Sequence, residues 1–143
     1  MAGFEQAAPL PVAGGILGAP VNCPAASTTG ILLIPLTAGV WLVTVSIDIV
    51  FAGAALTLIE AQIQAGTATV IFTGGPIADG VEMGNASGGV GQGELTMQTV
   101  ATVTAAGSLQ LAVKNPSGTT AATVAASSGS FAGSSGWTAV RIG

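Results

Sequence analysis

The sequence predicts an all-β fold, an antiparallel β-sandwich or jelly roll of about eight strands entered through an extended N-terminal arm. Three observations predict it. Apolar and polar residues alternate with period two along most of the chain, and no stretch shows the period of an amphipathic helix. The alternating runs are short and separated by Gly, Pro, Asn and Ser, as turns require. The composition is half hydrophobic, with 22 glycines in 143 residues and 6% charged side chains. That is too apolar for disorder and long enough for one domain with its own core.

Residues 1–30 read as the arm. Four of the seven prolines (Pro9, Pro11, Pro20, Pro24) stand there, which excludes helix interiors and central strands. A short strand is expected over Gly15 to Leu17. Phe4, Leu10, Val12, Ile16 and Leu17 are apolar and gain by lying on a surface. The arm therefore either docks on a neighbouring subunit or stays a loose terminus.

Residues 31–143 read as the sandwich. Ile31 to Leu36 is a short apolar strand closed by a Thr37-Ala38-Gly39 turn. Val40 to Phe51 is the strongest element: Trp41, Val43, Val45, Ile47, Ile49 and Phe51 share one face, with Thr44, Ser46 and Asp48 on the other. Val40 to Ile59 also has the length of a membrane-spanning helix. It lacks flanking cations, is rich in β-branched residues and is broken at Gly53, so no membrane partner is expected. Thr57 to Gln64 and Thr67 to Phe72 follow as strands. Gly74 to Gly93 reads as one long surface loop. Leu95 to Thr104 alternates with a fault at Thr99 and Val100. Leu109, Leu111 and Val113 give the next inward face, before an Asn115-Pro116-Ser117-Gly118 turn. Thr120 to Ala126, a Ser/Gly-rich stretch and a last strand from Trp137 to Ile142 complete the chain.

Chemistry is scarce. There is no His and one Cys, Cys23, so neither imidazole-based triads nor thiolate clusters can be built. Cys23 reads as a buried small hydrophobe. The one carboxylate pair to consider, Asp48 and Glu60, falls on neighbouring predicted strands, and both read as surface acids rather than an acid–base pair. Asp79, Glu82 and Glu94 frame the glycine loop without matching a calcium-loop pattern. Gly88 to Gly93 lacks the Lys and the strand-to-helix setting of a phosphate loop. Asn85-Ala86-Ser87 spells a glycosylation site with no secretory signal beside it: Met1 to Leu10 has no basic region and no apolar run follows. Two cations, Lys114 and Arg141, exclude phosphate-backbone binding. No enzyme activity, cofactor, metal, nucleic acid or small-molecule ligand is expected.

The outward strand faces are Thr, Ser, Gln and Ala, where a monomer carries Lys and Glu. Such faces are cheap to desolvate, and interface cores are depleted in charge. Extensive subunit contact is expected, with Trp137, Arg141, Gln98 and Thr44 as candidate interface residues. Trp137 shares a face with Ala139 and Arg141.

Leu36-Thr37-Ala38-Gly39-Val40-Trp41-Leu42-Val43 resembles the Gly–aromatic strand entry of the trimeric jelly rolls related to tumour necrosis factor and the complement globular head. Gly136-Trp137-Thr138-Ala139-Val140-Arg141-Ile142-Gly143 is similar to the last strand of small virion proteins of tailed phages, especially those of actinobacterial hosts. Ser108 to Val113 would be the penultimate-strand region. The resemblance covers Ile31 to Gly143. It implies a homotrimer on the capsid exterior of a virion, a decoration (cement) protein that binds the major capsid protein. Phe4, Leu10, Val12, Ile16 and Leu17 of the arm would then lie on the capsid lattice. The alternative it leaves is a tail or head-fibre tip that binds a host surface glycan.

Overall fold

The computed structural model describes residues 10–52, 59–67, 69–72, 77–81, 90–115, 121–125 and 135–143. They form two antiparallel sheets packed face to face, a jelly-roll sandwich. The strands are β1 (Val12–Ile16), β2 (Val21–Cys23), β3 (Ser27–Leu36), β4 (Gly39–Ala52), β5 (Ile59–Ala65), β6 (Val70–Phe72), β7 (Ile77–Val81), β8 (Val90–Val103), β9 (Gly107–Asn115), β10 (Ala122–Val124) and β11 (Gly136–Arg141). Sheet B runs β3-β9-β5-β7. In sheet A, β4 pairs along its whole length with β8, which carries β6. The other flank of β4 pairs with β11 at one end and β10 at the other, and these carry β1 and β2. From β2 to β10 every connection crosses between the sheets.

The core follows from the alternation. Trp41, Val43, Val45, Ile47 and Ile49 of β4 are buried, as are Ile59, Ala61 and Ile63 of β5 and Leu109, Leu111 and Val113 of β9. Each large aliphatic side chain so buried contributes about 1.5–3 kcal/mol of hydrophobic stabilisation. The apparent fault in β8 lies in composition, since its register with β4 is unbroken. Thr99 is buried on the inner face, and Val100 is 38% exposed on the outer one. At the sandwich edge, Asn115 is fully buried and its Nδ2 donates to the Cys23 carbonyl at 3.1 Å. That bond ties β2 of one sheet to β9 of the other.

Two long strands of sheet A are interrupted at the same level. β10 and β11 lie along one line beside β4, as β1 and β2 do beyond them. The gap is stitched by the backbone and one hydroxyl: Ala125 N donates to Asp48 O at 2.8 Å, Asp48 N to Ser135 Oγ at 3.0 Å, and Leu17 N to Ser135 O at 2.9 Å. Counting each interrupted pair once leaves eight long strands among the described residues, with β6 as a short addition; the eight short strands expected from residue 31 onward include β6 and omit β7.

Three expectations change. The segment from Val12 to Cys23 is no detached arm, because β1 and β2 complete the edge of sheet A, and β3 starts at Ser27 rather than 31. The prolines flank these strands instead of interrupting them. The stretch expected as a loop from Gly74 to Gly93 contains β7 and the first residues of β8. Asp48 and Glu60 belong to different sheets and form no pair, and Glu60 instead meets Lys114 at 2.9 Å. The span-length stretch beginning at Val40 is β4 as far as Ala52, a strand rather than a helix.

Candidate functional site

Directly opposed residues of antiparallel strands share a face, so the registers map the outer surface of sheet A row by row. One row runs Val12–Val140–Leu42–Val100 across β1, β11, β4 and β8. Val12 is 69% exposed, and Val140 and Leu42 are half-buried. Beside it Ile142, 50% exposed, donates its N–H to the carbonyl of half-buried Val40 at 2.8 Å. The next rows are Gly14–Thr138–Thr44–Gln98 and Ile16–Gly136–Ser46–Thr96. Their polar groups bond to each other: Gln98 Nε2 donates to Thr44 Oγ1 at 3.0 Å, and Ser46 and Thr96 share a hydroxyl–hydroxyl bond at 2.6 Å. These four rows carry no charged side chain. The acids Asp48 and Glu94 face one another further along, beyond the Ser46–Thr96 pair, and Asp48 is buried there.

Gly136 leaves a depression of about 300 Å³ in this face, bounded by Ile16, Thr44, Ser46 and Thr138. A Cβ at Gly136 would stand 2.7 Å from the Gly15 carbonyl oxygen. Close approach of β1 therefore demands glycine there, and the depression is a consequence of that packing.

The candidate residues separate. Thr44 and Gln98 lie on the outer face of sheet A. Trp137 does not: it is opposite Val45 and Gly15, packs against the core, and lies so close over Gly15 that a Cβ there would meet its Nε1 at 2.6 Å. Arg141, opposite Trp41, also belongs to the inward-facing set, but its side chain is exposed at the end of the sandwich, with Nε donating to Gly143 O at 3.1 Å. The face presented by β11 is the opposite one, Val140 and Ile142. Of the arm residues, Leu10, Val12 and Ile16 are 58–70% exposed, whereas Leu17 is a core residue, only 8% exposed, and is not available for contact. Phe4 lies outside the described residues, as do Glu82 and Asn85 to Gly89. Asp79 sits in sheet B and Glu94 in sheet A, and among the described residues no group of three metal-ligating side chains occurs. Cys23 is buried, as expected, and burial pushes its thiol pKa up against the opposing effect of hydrogen bonds with Thr29 and the Val124 backbone.

Sequence reasoning missed Val40, Leu42, Val100, Val140 and Ile142. The signal was present in β4, whose supposedly polar face also carries Val40 and Leu42.

Two antiparallel sheets packed as a jelly-roll sandwich define the class of fold, and solved structures share it. Eiger TNF from S. frugiperda has a similar structure, with TM-score 0.58 and 13% identity over 95% of this chain and 94% of that one. Infectious bursal disease virus, Gx strain, matches with TM-score 0.49 and 14% identity over 99% of this chain and 36% of that one. No protein-family model matches the sequence. No curated protein matches it either.

Proposed function

We propose that this chain is a non-enzymatic structural protein of a tailed-phage virion, a capsid decoration protein. It forms homotrimers through the outer face of sheet A and binds the major capsid lattice. The observation that carries the reading is that face: an uncharged surface with an apolar row crossing four strands. Four strands about 4.8 Å apart and four rows about 6.8 Å apart give roughly 500 Å². That falls short of the ~800 Å² per partner of a stable pairwise contact. A closed ring of three uses two different surfaces on each subunit, here this face and the neighbouring edge that exposes Leu10, Val12 and Ile16.

Light scattering of the purified protein tests the oligomer, with a trimer expected; a stable monomer sinks the reading. Co-sedimentation with shells of the major capsid protein tests the partner. The truncation that isolates the arm stops at residue 9, since removing residues 1–29 would also remove β1 and β2. The trimer should survive that shorter truncation, with occupancy on shells reduced.

A further inference from the structure

The link between the edge strands of sheet A and the first strand of sheet B is short and strained. β2 ends at Cys23 and β3 begins at Ser27, so Pro24, Ala25 and Ala26 alone carry the chain across. Ala26 has φ of 53°, the left-handed region that costs an alanine about 1 kcal/mol. The turn is closed by the Ser27 hydroxyl donating to the Pro24 carbonyl at 2.7 Å. Upstream, β1 and β2 are strands of five and three residues that, among the described residues, pair on one side only, with β11 and β10. Their seat is a set of contacts that any copy of the chain offers: the edges of β11 and β10, the core sites of Leu17 and Cys23, and the Asn115 amide. A short hinge under strain beside an edge strand favours exchange of that strand between copies.

We propose that the segment from Leu10 to Cys23 is exchangeable. In the assembled protein it leaves its own body and occupies the same seat on a neighbouring copy, pivoting at Pro24 to Ala26. The contacts are remade unchanged, Val12 opposite Val140 through Ile16 opposite Gly136, while Ala26 is released from its left-handed conformation. Subunits become linked by a strand as well as by their surfaces. The exchange does not rest on the virion reading, since it requires only a second copy of the chain.

Two cysteine variants read it directly, in a Cys23→Ala background. Ala13 and Ala139 face each other on the inner side of sheet A. They lie two positions from the pair in which Arg141 N donates to Pro11 O, so they are a hydrogen-bonded pair about 5.5 Å apart, a spacing a disulfide spans. Surface contact between subunits cannot join these inward positions. Chains carrying Ala13→Cys are refolded together with chains carrying Ala139→Cys and oxidised. The expected result is a disulfide-linked two-chain product. Ala26→Gly in both should lower its yield about five-fold, the equivalent of ~1 kcal/mol of hinge strain. A hinge deletion asks the same question without cysteines: removing Ala25 and Ala26 blocks the turn back, so the protein should stay oligomeric at dilutions where the parent dissociates to monomer. No two-chain product, or a hinge-deleted protein that still yields folded monomer on dilution, overturns the proposal.

Discussion

On sheet B outward side chains of β9 and β5 pair off. Lys114 meets Glu60 at 2.9 Å, and Gln64 donates to Gln110 at 2.8 Å. On sheet A the corresponding outward row is Val12, Val140, Leu42 and Val100. Both faces are drawn from the same charge-poor vocabulary, so composition alone does not distinguish them. The difference lies in what the rows do. Sheet B ends in long polar side chains suited to water, with Leu33 as an apolar exception. Sheet A ends in short aliphatic ones, and Thr44 and Gln98, like Ser46 and Thr96, are already bonded to each other. Satisfied polar groups and bare valines make a surface that loses little on leaving water. The scarcity of charge therefore means different things on the two sides, and only sheet A reads as an interface.

The largest expected effect breaks that contrast at its centre. Leu42→Asp puts a carboxylate in the middle of the sheet A row, and covering it with a second subunit leaves a buried, unpaired charge that costs about 3–5 kcal/mol. Light scattering should show monomer, with the circular dichroism of a folded β protein. Gln62→Asp, the matching change on sheet B, should leave the oligomer intact. If both variants stay oligomeric, sheet A is not the covered face.

A smaller effect compares two glycines. A Cβ at Gly15 would stand 2.6 Å from the Trp137 ring nitrogen and 3.1 Å from the adjoining ring carbon, whereas one at Gly30 would meet the end of the Gln110 amide at 2.7 Å. An indole wedged against the core has nowhere to go, while a glutamine swings outward. Gly15→Ala should destabilise by about 1–3 kcal/mol, and Gly30→Ala by no more than ~0.5 kcal/mol. Urea midpoints of the two variants provide the comparison. Equal losses would mean that Trp137 yields as readily as Gln110.

How much of this was legible in the sequence depends on what alternation carries. β4 was plain because six large apolar residues, Trp41 to Phe51, alternate along one unbroken strand. β7, with the sequence Ile77-Ala78-Asp79-Gly80-Val81, has no alternation to detect and is a strand because β5 pairs with it. β1 and β2 were obscured by their flanking prolines and by Gly14 and Gly15, which leave little pattern. Alternation also says which residues share a face without saying which way that face points. Trp137, Ala139 and Arg141 were grouped correctly, yet only the register with Val45, Val43 and Trp41 turns them inward. Nor does alternation assign a strand to a sheet, which is why Glu60 seemed close to Asp48 when its partner is Lys114.

The smallest effect concerns that partner. Lys114 and Glu60 form an ion pair whose side chains are 58% and 40% exposed. Water screens the attraction, and holding two long side chains together costs rotamer freedom. Lys114→Ala should therefore lower stability by at most about 0.5 kcal/mol, with a difference that shrinks further at high salt. Thermal melts at low and high ionic strength measure both. The value of the experiment lies in its failure mode. A loss of several kcal/mol that salt does not reduce would mean the pair is sheltered in the assembled protein. Sheet B would then be covered as well, and the contrast between a wetted face and a buried one would give way to a subunit enclosed on both sides.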